Sequence, residues 1–407
     1  MRCRWLRGEG VRLAVRASNA LQSALAVAVL LVASALLMLA QLNATPTRPQ
    51  TQISKAADAA PSSTWQTELV DSVPGHQVGW FSSLGIDRGG NLHIAYTDET
   101  ALMLRYAYRG KNDKKWFALA LGPGKGVSSL AVDSDGRPHI AYINANGGGL
   151  RYVAWDGKEW HSQLIDNQRI EYFTSIQIDS QNHPKISYYQ RLYADSSYAL
   201  RLKYAYFDGT TWFTQTVDQR FGTGKFNSLA LDTAGNPHIA YSDTNIFALR
   251  YVYWDGSRWL YELPDTSQMN GGVVGYEASI VVDARGNPYI AYLDATNHRI
   301  KYVYRAGNRW VHEIVDRLVG AADLDNVSIK LDNQGQPHIA YYDSGAGHLL
   351  YATRTSKGWI SEVVDESGAA GMYPSLCFNP DGEPYISYYD VANGVLRIAH
   401  RSSGANQ

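Results

Sequence analysis

Aromatic, acidic and basic side chains stand a few positions before a serine that recurs along the chain, and they are the residues best suited to contact a ligand. Their rings can stack on an amphipathic ligand while their polar groups hydrogen-bond to it, as a sugar or peptide site requires. The candidate ligand contacts at these positions are Trp80, Glu171, Tyr172, Lys225, Tyr276, Glu277, Asp325 and Tyr373. A six-residue insertion in the third repeat adds Arg191 and Tyr193. The alternative is that these side chains only pack one repeat against the next.

Metal and cofactor chemistry are not indicated. Four histidines share one repeat position: His93, His139, His238 and His338. Because they stand in separate repeats, we expect polar contacts near a turn rather than convergence on one ion. Two cysteines, Cys3 and Cys377, are too few for a disulfide scaffold or a cysteine-built zinc site. With no phosphate loop and no Ser-His-Asp elbow, we expect no cofactor and nominate no catalytic residue or metal ligand.

The composition indicates a folded protein without a nucleic-acid partner. Of the 407 residues, 45% are hydrophobic and only 18% are charged, against a usual charged fraction of about 25%. Such a chain can bury enough apolar surface to fold. The net charge of −1 supplies no basic field for nucleic acid. We expect a monomer.

A serine opens each of seven similar units: Ser83, Ser129, Ser175, Ser228, Ser279, Ser328 and Ser375. The successive spacings are 46, 46, 53, 51, 49 and 47 residues. Four positions on stands an aspartate in six units and Asn379 in the last, and thirteen positions on stands always a tyrosine, from Tyr96 to Tyr388. Repetition at this period is typical of an array of stacked supersecondary units.

Each unit predicts four short strands. In the fourth unit the strands are residues 228–232, 237–243 and 249–254, and a last one opened by Trp259. The segments between them, at 233–236 and 255–256, contain Gly, Asn and Asp, which favour tight turns. Apolar residues on both faces of the strands indicate sheets packed on both sides. The sequence therefore predicts an all-β, seven-bladed β-propeller over residues 64–401, with a short tail at 402–407.

Seven tryptophans predict how the ring closes. They open the fourth strands: Trp65, Trp116, Trp160, Trp212, Trp259, Trp310 and Trp359. Trp65 precedes the first serine, and no fourth strand follows the third strand of the last unit. The strand 65–71 should therefore pair with the strand near 396–400 and complete the last blade, which hides both sheet edges.

Loop lengths predict which face carries the site. The turn between strands one and two never changes length, whereas the link from strand four to the next strand one varies from 13 to 20 residues, counted from tryptophan to serine. That link lies on the same side as the link between strands two and three, and we call this side the variable-loop face. Varied loops on a rigid scaffold are typical places for function.

An N-terminal segment predicts export. Residues 17–47 carry no charge. Five arginines precede them: Arg2, Arg4, Arg7, Arg12 and Arg16. A basic flank before an apolar run keeps the N-terminus in the cytoplasm. Residues 1–42 are therefore predicted to be one of two export signals. As a signal anchor they would form a transmembrane helix that holds the rest of the protein outside the cell membrane. As a signal peptide they would be cleaved, and the protein would be secreted. Residues 43–63 are predicted as a disordered tether.

The repeats, such as Leu231–Tyr241 and Trp254–Trp259, resemble those of exported bacterial β-propeller repeat proteins and are similar in style to sialidase and Asp-box propellers. The resemblance covers about residues 64–401 and implies a seven-bladed fold. An Asp-box has one residue between its Asp and Gly, whereas Asp255 directly precedes Gly256. A sialidase site would need three arginines, and by residue type these would be Arg169, Arg191 and Arg220.

Three functions are open. The first is a non-enzymatic exported or membrane-anchored propeller that binds a glycan or a protein at the cell surface through its variable-loop face. The second is a sialidase-like glycoside hydrolase or lyase, which needs two carboxylates across a cleft; the best pair is Glu171 with Glu277 or Asp323. The third is a structural spacer, whose mark would be a channel mouth plugged by side chains.

Overall fold

The structure, a computed structural model, describes residues 64–168, 170–194, 197–267, 272–319 and 326–401. Of residues 171, 172, 192–194 and 197–199 it describes the backbone alone. These parts of the chain form 28 strands in seven four-stranded antiparallel sheets, which confirms the all-β, seven-bladed propeller.

The first four blades follow one another along the chain. Blade one is β2 (Val78–Ile86), β3 (Leu92–Asp98), β4 (Met103–Arg109) and β5 (Phe117–Pro123). Blade two is β6 (Lys125–Val132), β7 (Pro138–Ile143), β8 (Leu150–Trp155) and β9 (Trp160–Asp166). Blade three is β10 (Ile170–Ile178), β11 (Pro184–Ala194), β12 (Ser197–Phe207) and β13 (Trp212–Asp218). Blade four is β14 (Thr223–Leu231), β15 (Pro237–Asp243), β16 (Ala248–Trp254) and β17 (Trp259–Thr266).

The last three blades include the one that closes the ring. Blade five is β18 (Val274–Val282), β19 (Pro288–Asp294), β20 (Arg299–Ala306) and β21 (Arg309–Arg317). Blade six is β22 (Val327–Leu331), β23 (Pro337–Asp343), β24 (His348–Thr355) and β25 (Gly358–Asp365). Blade seven is β26 (Ala370–Phe378), β27 (Pro384–Asp390), β28 (Val395–Arg401) and, from the start of the chain, β1 (Trp65–Asp71).

Closure of the ring by the first strand is confirmed. The last sheet has the order β1-β28-β27-β26, with Trp65 opposite Arg401 and Glu68 opposite Ile398. Glu68 also contacts His400 of β28, 2.8 Å from Oε1 to Nε2. The two ends of the propeller are therefore tied together in one sheet.

The apolar cores lie between consecutive blades. All seven residues of β15 are buried, because neighbouring sheets cover both of its faces. One cluster joins Leu249 and Tyr251 of blade four to Val274 and Ile280 of blade five. Neighbouring blades thus share a core, and the side chains at the inner end of each blade have fixed positions.

The repeated serine links every blade to the next around the channel. Strand one is the inner edge of each sheet, so its outward backbone N–H groups have no ladder partner. Each serine Oγ accepts a hydrogen bond from the N–H of the residue after the next blade's serine. The donors are Leu130, Ile176, Leu229, Ile280, Ile329, Leu376 and Leu84, at 2.9–3.2 Å. These bonds form a closed ring of seven.

The repeated tyrosine of strand two joins six of the seven blades to the blade before it. In six blades its hydroxyl donates to an aspartate at the end of the preceding fourth strand: Tyr96–Asp71, Tyr188–Asp166, Tyr241–Asp218, Tyr292–Asp265, Tyr341–Asp316 and Tyr388–Asp365. A cation from strand three joins some of these pairs, as Lys203 does with Asp166 at 2.6 Å. Blade two differs, because Gly122 stands where the aspartate would be and Tyr142 contacts Ser162 at 3.3 Å instead.

The predicted export segment 1–42, the tether 43–63 and the tail 402–407 lie outside the described residues. Within the described part of the chain, no helix has the length and apolar character needed to span a bilayer.

Candidate ligand site at the channel mouth

A backbone bulge aims selected side chains into the channel. In four blades, strand one has an extra residue two positions before the serine, so that its register against strand two shifts. These residues are Phe81, Phe226, Glu277 and Tyr373, with φ of 53°, 53°, 49° and 56°. A left-handed backbone costs a residue with a side chain about 1–3 kcal/mol. Bulges of this kind redirect side chains, and all four line the central cavity.

The cavity at the channel mouth has a volume of about 200 Å³. Its wall is made by the opening serine of every blade and the two residues before it. The outermost ring of the wall is Phe81, Val127, Phe173, Phe226, Glu277, Asn326 and Tyr373. Since strand one starts on the variable-loop face, the site opens on the face that the loop lengths predict.

The first aromatic cluster at the mouth consists of Trp80, Phe81, Tyr373 and Tyr389. The Phe81 and Tyr373 ring centroids are 4.2 Å apart, and Trp80 lies 5.5 Å from both tyrosines. Rings at these separations attract one another beyond the area they bury. This cluster joins blades seven and one, where the ring is closed.

The second aromatic cluster consists of Phe173, Phe226 and Tyr276, from blades three to five. Phe226 lies 4.7 Å from Phe173 and 5.0 Å from Tyr276 between centroids. The Lys225 ammonium is 4.4 Å from the Phe226 centroid and 5.5 Å from that of Tyr276. This geometry is a cation–π contact, so the basic group of the mouth is held against the rings.

Glu277 is the acidic group of the cavity wall. Burial raises the pKa of its carboxyl to about 7, although the amide of Asn326 and the charge of Lys225 favour the ionised form. Asn326 is oriented in turn by its Oδ1, which accepts the backbone N–H of Tyr373 at 3.3 Å. The mouth thus holds a carboxyl that exchanges its proton near neutral pH.

Glu99 supplies a second carboxyl with a raised pKa. Burial raises the pKa of Glu99, Asp98 adds to the shift, and Lys125 opposes it. Glu99 Oε2 is buried without a hydrogen-bond partner among the described residues. Burial raises the pKa of Tyr373, and the charges of Glu277 and Glu99 raise it further. Two acids from different blades therefore act on one tyrosine hydroxyl.

The structure brings half of the predicted ligand contacts together. Trp80, Lys225, Tyr276, Glu277 and Tyr373 surround the mouth.

Of the other predicted contacts, one has a described side chain, on β11, and the rest have side chains outside the described residues. Arg191 is half-buried on β11, opposite Leu200 of β12. The side chains of Glu171, Tyr172 and Tyr193, and all of Asp325, lie outside the described residues, as do Asp323 and Arg169. Arg220, named from the sialidase resemblance, is bound by Asp218 with Nε 2.9 Å from Oδ1.

Sequence reasoning missed two polar residues at the mouth, Glu99 and Ser128. Glu99 had a signal in the sequence, since the residue after the aspartate that ends strand two is uncharged in the other blades that have this aspartate. Ser128 had none, because it is one of several small polar residues before the opening serine.

The repeated histidines make the polar contacts expected of them. His93 Nδ1 is 2.7 Å from the Tyr106 hydroxyl, and Nε2 is 3.6 Å from Asp87. His139, His238 and His338 are held by the same kinds of partner. Burial lowers the pKa of all four, so each is a neutral link between strands at neutral pH.

The variable-loop face also presents apolar side chains to solvent. Six loop residues there are 39–63% exposed: Leu102, Phe221, Ile246, Phe247, Val319 and Val391. They lie between strands two and three of blades one, four and seven and in the links that lead into blades four and six. Exposed apolar groups on one face are typical of an interaction surface.

Comparison with known proteins identifies the fold. No protein-family profile matches the chain, and no curated protein matches it by sequence. Among solved structures it is similar to a protein of unknown function from Dyadobacter fermentans, with a TM-score of 0.51 and 10% identity over 82% of this chain and 96% of the other.

Two further solved structures match the chain with lower scores. AofleA from Arthrobotrys oligospora has a TM-score of 0.49 and 13% identity over 75% of this chain and 91% of its own. The intramolecular trans-sialidase from Ruminococcus gnavus has a TM-score of 0.44 and 14% identity over 81% of this chain and 96% of its own. The chain is a seven-bladed β-propeller by its own seven sheets, and at such identities the likeness to solved structures concerns the fold alone.

Proposed function

We propose that this protein is a non-enzymatic binding propeller that holds a glycan against the channel mouth on its variable-loop face. A sugar ring has apolar faces and hydroxyl edges, so it needs aromatic surface and polar groups at once. The mouth supplies both, with Trp80 and Tyr276 in the aromatic clusters and Lys225 and Glu277 beside them.

The observation that carries the proposal is the strained bulge. Four blades hold a residue with a side chain in left-handed geometry two positions before the opening serine, and each of these four side chains lines the cavity. Strain of this kind persists where the surrounding structure fixes it, and it clusters at functional sites. A spacer would instead be expected to fill its channel, whereas a cavity of about 200 Å³ remains here.

A glycan array probed with the full-length protein, followed by calorimetric titration of its hits, tests this function. Trp80→Ala and Tyr276→Ala should each weaken binding about tenfold, because each removes a stacking surface. Phe117→Ala is the matched control, since Phe117 is an aromatic residue 62% exposed on the outermost strand of blade one. Affinity unchanged in both mouth variants would refute the proposal.

The place of action proposed with this function is outside the cytosol. Support comes from the arginine-flanked apolar segment in residues 1–42. Protease added to intact cells should then degrade the propeller. N-terminal sequencing of the mature protein would distinguish an anchor from a cleaved signal, and a protease-resistant propeller in intact cells would contradict export.

A glycoside hydrolase is the second candidate, and the carboxyl of Glu277 in the cavity wall favours it. A carboxyl with a pKa of about 7 is suited to give a proton to a leaving group at neutral pH. Incubating the array hits with the full-length protein and measuring released sugar separates the two functions. Hydrolysis lost in Glu277→Gln, with binding retained, would establish the enzyme, whereas binding without release supports the binding protein.

A further inference from the structure

One hydroxyl in the channel wall lacks the partner that its counterparts have. The residue before the opening serine is polar in four blades. Ser82 Oγ is 2.9 Å from Ser387 Oγ, and Thr174 Oγ1 donates to the Val127 carbonyl at 3.1 Å. Asn227 accepts from Ser187 at 2.6 Å.

Ser128 is the exception in this ring. It is only 3% exposed and lines the cavity, yet its Oγ has no hydrogen-bond partner among the described residues. A buried hydroxyl without a partner is unfavourable in the free protein. The Oγ itself is buried, so rotation of the Ser128 side chain is needed for it to face the cavity, where a polar atom would supply the missing bond.

Glu277 and Asn326 stand on the opposite wall. Ser128 belongs to blade two, and in a ring of seven the blades facing it are five and six, which contribute Glu277 and Asn326. Aromatic rings from the blades between them complete the wall. The cavity therefore has two polar poles separated by apolar surface.

The charges around the cavity favour an uncharged occupant. A cation would meet the Lys225 ammonium, which already lies over Phe226 and Tyr276. An anion would be repelled by Glu277 whenever that carboxyl is ionised. A hydroxyl group can donate to one pole and accept from the other. About 200 Å³ corresponds to roughly seven water volumes of about 30 Å³, enough for the end of one sugar ring.

We propose that the channel binds the terminal group of a neutral, hydroxyl-rich ligand, an uncharged sugar residue or a polyol, between Ser128 on one wall and Glu277 with Asn326 on the other. This rests on the proposed function and narrows it to neutral end groups held inside the channel. Ser128 is then a ligand contact inside the channel. Trp80 and Tyr276 contact the rest of the ligand, which lies outside the channel at its mouth.

The test is calorimetric titration of the full-length protein with methyl galactoside, methyl glucoside, methyl fucoside and inositol. Glucuronate and glucosamine are the charged counterparts. At least one neutral probe should bind at least tenfold more tightly than either charged probe. Ser128→Ala should weaken that binding about fivefold to tenfold, the value of one hydrogen bond, and leave the unfolding temperature unchanged or raised. Ser356→Ala, in the exposed turn between β24 and β25, should leave binding within twofold.

Three results would overturn the inference. Equal affinity in the wild type and Ser128→Ala, or a preference for a charged probe, removes it while leaving a mouth site intact if Trp80→Ala still weakens binding about tenfold. Absence of binding by every probe and every array glycan removes both this inference and the proposed function.

Discussion

Ser375 Oγ accepts a hydrogen bond from the backbone N–H of Leu84 at 2.9 Å, and this bond joins the last blade to the first. Its six equivalents join the other neighbours, so the ring of serine bonds has no gap around the channel. The residues of the mouth stand directly before these serines in the sequence. The bonds that close the propeller therefore also position its candidate site.

Replacing the serine at the closure should lower stability. Ser375→Ala leaves the Leu84 N–H without its acceptor, a loss of about 1 kcal/mol. Thermal unfolding of this variant should have a lower midpoint than that of the wild type. Ser356→Ala, in an exposed turn, should leave the midpoint unchanged, and equal midpoints for both variants would show that the ring contributes nothing.

The tyrosine–aspartate pairs allow a matched comparison between blades. Tyr292→Phe removes a donor from the fully buried Asp265, which should cost about 1–3 kcal/mol. Tyr142→Phe removes only a long contact to Ser162, so its effect in urea unfolding should be smaller. If both variants lose the same stability, the pairs do not hold the blades together as described.

The carboxyl of Glu277 should make stability depend on pH. Its pKa is raised to about 7 in the folded protein from an ordinary value of 4.5, so the native state binds the extra proton between these values. The free energy of unfolding then falls as pH rises from about 4.5 to 7, by at most ~3 kcal/mol from this group.

Glu277→Gln isolates this contribution, since the amide keeps the shape but does not titrate. Urea unfolding should find the variant more stable than the wild type at pH 8 and similar at pH 4. A difference between the two proteins that does not vary with pH would mean that Glu277 titrates normally.

Deleting the strand that closes the ring should be more damaging than removing the segment before it. Without residues 64–71, β28 loses its edge partner, and an exposed sheet edge promotes association between chains. Size-exclusion chromatography should show aggregates for this deletion. Removal of residues 1–60 is the control, and a monodisperse, cooperatively folded 64–71 deletion would contradict the closure argument.

The fold could be predicted because the repeat carries two independent signals. The seven serines set the number of blades, and the position of Trp65 before the first of them implies closure by the N-terminal strand. Both signals can be recognised in a single sequence, because every blade repeats the same turn and the same inner strand. The role of the serine bonds could not be predicted, since their acceptors and donors lie on different blades about 50 residues apart.

The candidate site was predictable only in outline. Position relative to the serine selected Trp80, Lys225 and Tyr276, which the structure places around the mouth, because register along a strand maps directly onto depth in the channel. The left-handed bulge that turns Glu277 into the cavity has no sequence marker such as glycine. The Ser128 hydroxyl is unsatisfied because no neighbouring group is placed to bond it. Only the packed structure shows which groups are its neighbours.

Hydrogen–deuterium exchange of the full-length protein, with and without the tightest glycan found on the array, tests the location of the site most directly. Binding at the channel mouth predicts slower exchange in residues 78–83, 223–228, 274–279 and 370–375, which form the inner ends of strand one. Protection confined to the opposite turns, at residues 87–91 and 133–137, or to the outermost strands, would contradict the account.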